Sequence, residues 1–182
     1  MKKLDLKKDA PTYSFGTKKV TSIIHNDGNT FQFEVSTSLS SGIGLHLIGV
    51  PNYETNAVLI KALTIVQELG CDVRNDKIEI DVFGWDSRWP FEALILPISL
   101  CLYSHQNDVL MDTNEFWLTG CLDWDGTLQP MNDVEQLIQY TDQTQRKIFL
   151  PTKQYQELSA SLKANAVPAD SIRDIITVMD RF

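Results

Sequence analysis

The residues able to do chemistry are few and scattered. His25, His46 and His105 stand apart, and no pair has the spacing with which a helix presents two metal ligands. Each reads as a surface or internally satisfied histidine. Cys71, Cys101 and Cys121 are odd in number and widely spaced, which argues against a disulfide framework and against a zinc knuckle. Two of them sit in apolar stretches, where a cysteine acts as a small hydrophobe. Asp123 and Asp125 flank Trp124 beside Gly126. Such carboxylates can join a divalent-cation site, but Asp-Gly is foremost a turn signature and the turn reading is the stronger one. No metal site is expected. No Gly-x-x-x-x-Gly-Lys-Ser/Thr pattern occurs, and Ser41-Gly42-Ile43-Gly44 lacks the lysine that would reach a phosphate. The sequence therefore predicts no ATP hydrolysis and no cofactor.

One loop concentrates recognition-type residues: Trp85, Asp86, Ser87, Arg88 and Trp89, with Phe83 and Phe91 on either side. Exposed tryptophan and arginine anchor protein interfaces. The competing reading is that these aromatics only close the sheet edge over the core, and the two weigh equally. Trp117 and Trp124 read as core residues.

Composition narrows the class. The 182 residues suit one domain with a core of its own. Hydrophobic residues make up 43% and charged ones 22%, ordinary values for a globular chain. No run is long enough to span a bilayer, and Met-Lys-Lys at the N-terminus is followed by no apolar segment, so neither membrane nor secretory signal is expected. With its free cysteines, the chain is expected in the reducing cytoplasm. The net charge is −8; residues 1–20 hold six lysines and two aspartates, +4, which leaves −12 for the other 162. An acidic body repels phosphate backbones, which argues against nucleic acid as a partner.

The elements that must position these residues follow from periodicity. Residues 1–17 show none and read as a flexible basic lead-in to a single domain over 18–182. Val20, Ser22 and Ile24 predict a strand, Asp27-Gly28 a hairpin turn, and Phe31, Phe33 and Val35 a second strand. Ile43 to Val50 is apolar on both faces and predicts a buried strand. Residues 55–69 predict a helix with Gly70 as its cap, and 77–83 a strand. Phe91 to Tyr103 predicts a buried helix in which Pro97 should cause a kink. Phe116–Leu122 and Thr127–Gln129 predict two strands around Asp125-Gly126. Asn132 and Glu135 have capping-box spacing ahead of a helix. A short strand over 147–150, a helix from Thr152 to about Ala164 and a final helix with Ile172, Ile175, Ile176 and Met179 complete an α/β (α+β) domain, a mixed sheet covered by helices.

The order of these motifs resembles a known family. Ser40-Ser41-Gly42-Ile43-Gly44-Leu45-His46-Leu47-Ile48-Gly49-Val50-Pro51, Leu96-Pro97-Ile98, Leu118-Thr119-Gly120, Gly126 with Leu128 and Pro130, and Lys147-Ile148-Phe149-Leu150-Pro151 are similar to the Mg-chelatase-like competence proteins. Those proteins join an N-terminal Lon-like domain to an ATPase domain. The resemblance covers residues 19 to 182 and implies the ribosomal-protein-like superfold of the Lon proteolytic domain. It departs where the family has a Gly-Gly-Arg-Tyr-Asp type stretch, here Phe91-Glu92-Ala93-Leu94-Ile95, and no ATPase domain is in the chain.

Lon-type proteolysis pairs a serine with a lysine of lowered pKa. Aligned through Leu96-Pro97-Ile98, Ala93 occupies the serine's place, and Glu135 the lysine's. Shifting the alignment restores neither, because no serine lies between Ser87 and Ser99 and no lysine between Lys77 and Lys147. The resemblance thus implies a pseudo-enzyme, with no catalytic residues, that works as an interaction or oligomerisation module. Its expected partners are proteins or further copies of itself, as an accessory to an ATP-dependent or DNA-processing machine. Trp85, Asp86, Arg88 and Trp89 are its candidate contact residues. The alternative is a hydrolase with a displaced nucleophile, Ser87 or Cys101.

Overall fold

The computed structural model describes residues 17–39, 44–73, 77–111 and 113–180. The expected lead-in, apart from its last residue, and the Ser40–Ile43 part of the glycine-bounded motif lie outside them. The fold is mixed α/β, as the pattern predicts. Strands β1 (Lys18–Asn26) and β2 (Asn29–Leu39) form the expected hairpin. Asp27 and Gly28 both take positive φ, 49° and 77°, the twist that a two-residue hairpin loop requires. Strand β4 (Ile78–Phe83) pairs antiparallel with β2, and β3 (Leu45–Ile48) pairs parallel with β4, so the sheet order is β1-β2-β4-β3.

The position of β3 corrects the expectation of a buried strand. It is the sheet's edge, where one side has no neighbour strand, and its burial alternates: Leu45 and Leu47 half-buried, His46 and Ile48 exposed. The chain then turns tightly onto β4. Gly49 takes φ +87°, and a Cβ there would stand 2.1 Å from the Val82 carbonyl oxygen, so only glycine fits.

Helices α1 (Asn52–Glu68) and α2 (Ile95–Asn107) pack together, and α2 lies on β1 and β2. Val20, Phe33, Val35, Ile78, Ile80 and Val82 meet Val58, Ile65, Leu96, Leu100 and Leu102 in the main core. Each such aliphatic side chain contributes roughly 1.5–3 kcal/mol through burial. Pro97 does not lie in the helix interior, where a proline causes a kink. A 3₁₀ turn (Phe91–Leu94) feeds into α2, so Pro97 falls in the first helical turn, where its missing N–H has no intrahelical acceptor to lose.

A second sheet was not foreseen. β5 (Phe116–Trp117), β6 (Lys147–Leu150) and β7 (Ala166–Pro168) are all parallel, in that order. Leu118 connects it to the first sheet by bridging to Ser22 on β1, with Ile23 N donating to Leu118 O at 2.9 Å. The expected strands around Asp125-Gly126 shrink to β5 and two antiparallel bridges, Leu122 to Leu128 and Thr127 to Ser171. Helix α3 (Val134–Thr144) covers the junction, burying Ile23, Trp117, Leu137, Ile138, Ile148 and Leu150 in a smaller core.

The expected helix from Thr152 is two, α4 (Thr152–Glu157) and α5 (Ala160–Lys163), parted by extended backbone at Leu158 and Ser159; Leu158 and Leu162 both reach the smaller core. Helix α6 (Ile172–Met179) buries Ile172, Ile175, Ile176 and Met179 as predicted. Among the described residues, no helix is long and apolar enough to cross a membrane.

Candidate functional site

The aromatic loop leaves β4 at Gly84 and folds back over the end of the hairpin. Trp85 and Trp89 meet edge to face at 5.3 Å, Trp85 lies against Phe33 at 5.3 Å, and Trp89 against Phe31 at 5.1 Å. Trp89 is 7% exposed and belongs to the main core; Trp85 is half-buried. The two tryptophans thus close the sheet end, with the Trp85 Nε1 buried and without a partner among the described residues. The polar members of the loop face outward and engage each other. Arg88 Nε donates to both carboxylate oxygens of Asp86, at 2.9 and 3.1 Å, and a second guanidinium nitrogen completes the fork. Asp86 also accepts from the Arg88 backbone N–H at 3.0 Å. Hydrogen bonding from Arg88 holds the Asp86 carboxyl down at about 2. Phe83, 57% exposed, emerges on the sheet's other face, opposite Glu34 of β2.

Ser87 is exposed at the tip of this loop. Cys101 is fully buried, its thiol donating to the Val35 carbonyl at 3.3 Å, and burial pushes its pKa far up. A thiol kept protonated inside the core is neither reachable nor reactive.

Ala93 lies on the rim of a cleft of about 220 Å³ between the 3₁₀ turn, β1 and the start of α3. Ile24, Pro90, Met131 and Leu137 give it apolar walls; His25, Thr119, Cys121, Asn132 and Asp133 give it polar ones. Glu135 is not among the lining residues; it is exposed on the first turn of α3. The capping box expected of Asn132 and Glu135 does not form either. The α3 N-cap is Asp133, held at φ 56° and ψ 30°, and no side chain caps the helix. A capping box that periodicity did not single out exists at α6, where Ser171 Oγ accepts from Asp174 N and the Asp174 carboxylate accepts from Ser171 N at 2.9 Å.

The cleft residues are unevenly committed. His25 Nδ1 sits 3.0 Å from Thr30 Oγ1. The Cys121 thiol is pushed up by burial and by Glu92, against a smaller opposing pull from Lys61. Thr119 is 8% exposed, its hydroxyl is not among the buried polar atoms left without a partner, and Asn132 and Asp133 are exposed. Leu118-Thr119-Gly120 and the Asn132–Glu135 spacing are legible as motifs, but nothing in the sequence marks them as neighbours.

The remaining candidates separate. Trp117 is core, as expected: its Nε1 donates to Thr144 Oγ1 at 2.8 Å and Arg146 stacks on its ring at 4.0 Å. Trp124 corrects the expectation. It is 53% exposed at the turn tip, with Lys61 5.5 Å from its ring. Asp123 and Asp125 bond the turn's own N–H groups, on Trp124 and Thr127, as the turn reading requires. Among the described residues no group of three or more His, Cys, Asp or Glu side chains is placed to hold a metal ion.

No curated protein matches the chain. A family model does: the one described as subunit ChlI of Mg-chelatase matches residues 33–154, from β2 into α4, and takes in the aromatic loop, the 3₁₀ turn and most of the cleft lining. With well over half its length matched, the chain belongs to the ChlI family.

Proposed function

We propose that this ChlI-family domain is non-catalytic and works through protein contacts, by self-association or by docking on a larger assembly that is ATP-driven or processes DNA. The reading takes the fold as the Lon-like one with its catalytic pair vacant: Ala93 offers no nucleophile, and Glu135 is a carboxylate where an amine is needed. The family description, a subunit of a chelatase, supports a role inside an assembly. The acidic body counts against direct nucleic-acid contact.

The observation that carries the proposal is the surface around the aromatic loop. The Arg88 side chain is 84% exposed in the loop that the packed tryptophans fix, and Phe83 is 57% exposed on the sheet's other face. Arginine and aromatic side chains on a rigid base are the residue types that anchor interfaces. Light scattering on a sizing column, together with affinity capture from native cytosol, tests it. A multiple of the single-chain mass, or a retained partner, should be lost in Phe83→Ser and Arg88→Ala. A strict monomer that retains nothing, or a partner held equally by both variants, overturns the reading. So does specific labelling of Ser87 by a serine-directed covalent probe.

A further inference from the structure

We infer that the groove between α1 and the 3₁₀ turn binds a free aromatic amino acid, or another small zwitterion that carries an aromatic arm. The inference goes beyond the contact reading above and does not depend on it.

The groove measures about 320 Å³, the size of a pocket for a small ligand. One wall is a single face of α1, where Ala57, Ile60 and Lys61 stand at helical spacing. The other wall is the 3₁₀ turn and the start of α2, through Phe91, Glu92 and Ile95. Trp124 completes the lining. The turn that presents it is held firmly. Asp123 accepts from Trp124 N at 2.8 Å, Asp125 accepts from Thr127 N at 2.9 Å, and a Cβ on Gly126 would stand 2.9 Å from Ile172. An indole more than half exposed on a fixed turn is apolar surface that the fold leaves uncovered. With Phe91 in the same lining, a planar ring has two aromatic neighbours to pack on.

Two charges then select the polar part of the ligand. Lys61 and Glu92 are both half-buried, and they line the groove from opposite walls. Among the described residues no ion pair joins them; Lys61 Nζ stands instead 5.5 Å from the Trp124 ring centroid. Both still act on one place, since Glu92 raises the pKa of the Cys121 thiol and Lys61 lowers it. A ligand with one charge would serve one of the two groups and be repelled by the other. A zwitterion serves both: its carboxylate accepts from Lys61 and its ammonium donates to Glu92, each a charge-assisted bond. The remaining arm is left to the apolar walls. An alkyl arm would gain burial alone, whereas a ring also gains the offset or edge-on contact that Trp124 and Phe91 offer.

The test is a nuclear magnetic resonance titration of the full chain with L-phenylalanine, followed at the Trp124 indole N–H, a resonance assigned by its loss in Trp124→Phe. The shift should saturate. Three comparators each lack one element of the ligand: phenethylamine the carboxylate, 3-phenylpropionate the ammonium, L-alanine the ring. Each should bind about tenfold more weakly or worse. Lys61→Met should bring phenylalanine down to the affinity of phenethylamine, and Glu92→Gln should bring it down to that of 3-phenylpropionate. Lys61→Arg, which keeps the charge, should retain binding. No saturable shift, equal binding of any of the three comparators, or undiminished binding by Lys61→Met and Glu92→Gln overturns the inference. N-acetyl-phenylalanine amide, which has no charge, stands for a phenylalanine inside a partner chain. If it binds as tightly as free phenylalanine, the groove is a protein contact and the inference is likewise overturned.

Discussion

The aromatic loop and the cleft meet at Pro90, yet they treat their polar groups in opposite ways. In the loop, Asp86 and Arg88 engage each other, and the aromatic rings stack onto the hairpin; the Trp85 indole N–H is buried without a partner among the described residues. In the cleft, Asn132 and Asp133 are exposed to solvent, and Asp133 takes left-handed backbone. The loop is explained by what it packs and by what it shows to solvent. The contrast separates a region held by its own packing from one whose polar groups are left to solvent.

Substitutions that probe the two regions should therefore differ in sign. The largest effect belongs to the loop. Trp89→Ala removes an indole packed between Phe31, Phe33 and Trp85, and should lower unfolding free energy by about 3–5 kcal/mol in denaturant titration. A loss below about 1 kcal/mol would mean that the loop is ornament on the sheet rather than part of its core. In the cleft, Thr119→Val exchanges a hydroxyl of the lining for a methyl of the same shape. Stability should stay level or rise by up to about 1 kcal/mol, where a hydroxyl in structural use would lose about that much. A clear loss on the same denaturant curve would show that Thr119 is bonded inside the fold and would erase the contrast.

What the sequence made legible follows the same division. Periodicity located the hairpin, α1, β4, α2 and the buried face of α6, because each depends on a local apolar repeat. Leu-Pro-Ile marked the buried helix, though not that a 3₁₀ turn would shift Pro97 into its first turn. The edge position of β3, the second sheet and the exposure of Trp124 depend on which strands become neighbours, and no local pattern encodes that. Ala93 lines the cleft while Asn132 and Asp133, ahead of α3, line it in place of Glu135, which the left-handed Asp133 at the N-cap leaves outside. His25, Thr119 and Cys121 come from three separate segments, so their meeting was not visible in any one of them.

Asp133 sharpens the comparison further. Glycine adopts φ 56° without the Cβ conflict that aspartate carries, and Asp133→Gly should raise stability by about 0.5 kcal/mol despite the greater freedom of the unfolded chain. A decrease in melting temperature would show that the Asp133 side chain supports the fold, which would move the cleft toward the loop's category.

The smallest effect lies in the loop's own ion pair and is read by pH. Asp86 has its folded-state pKa lowered, so its pairing with Arg88 favours the folded state above the ordinary carboxylate value of 3.8. That preference fades as pH falls from there through about 2, where the folded-state carboxyl takes up its proton. Because both groups are open to solvent, the consequence for stability is slight, and the carboxyl resonance of Asp86 is the better readout. Its midpoint should lie near 2 and return toward 3.8 in Arg88→Ala. A midpoint already ordinary in the wild type would mean that the fork is not held in solution. Arg88 would then be a free cation at the loop tip, still fit to meet an acidic partner but no longer pre-positioned by its neighbour.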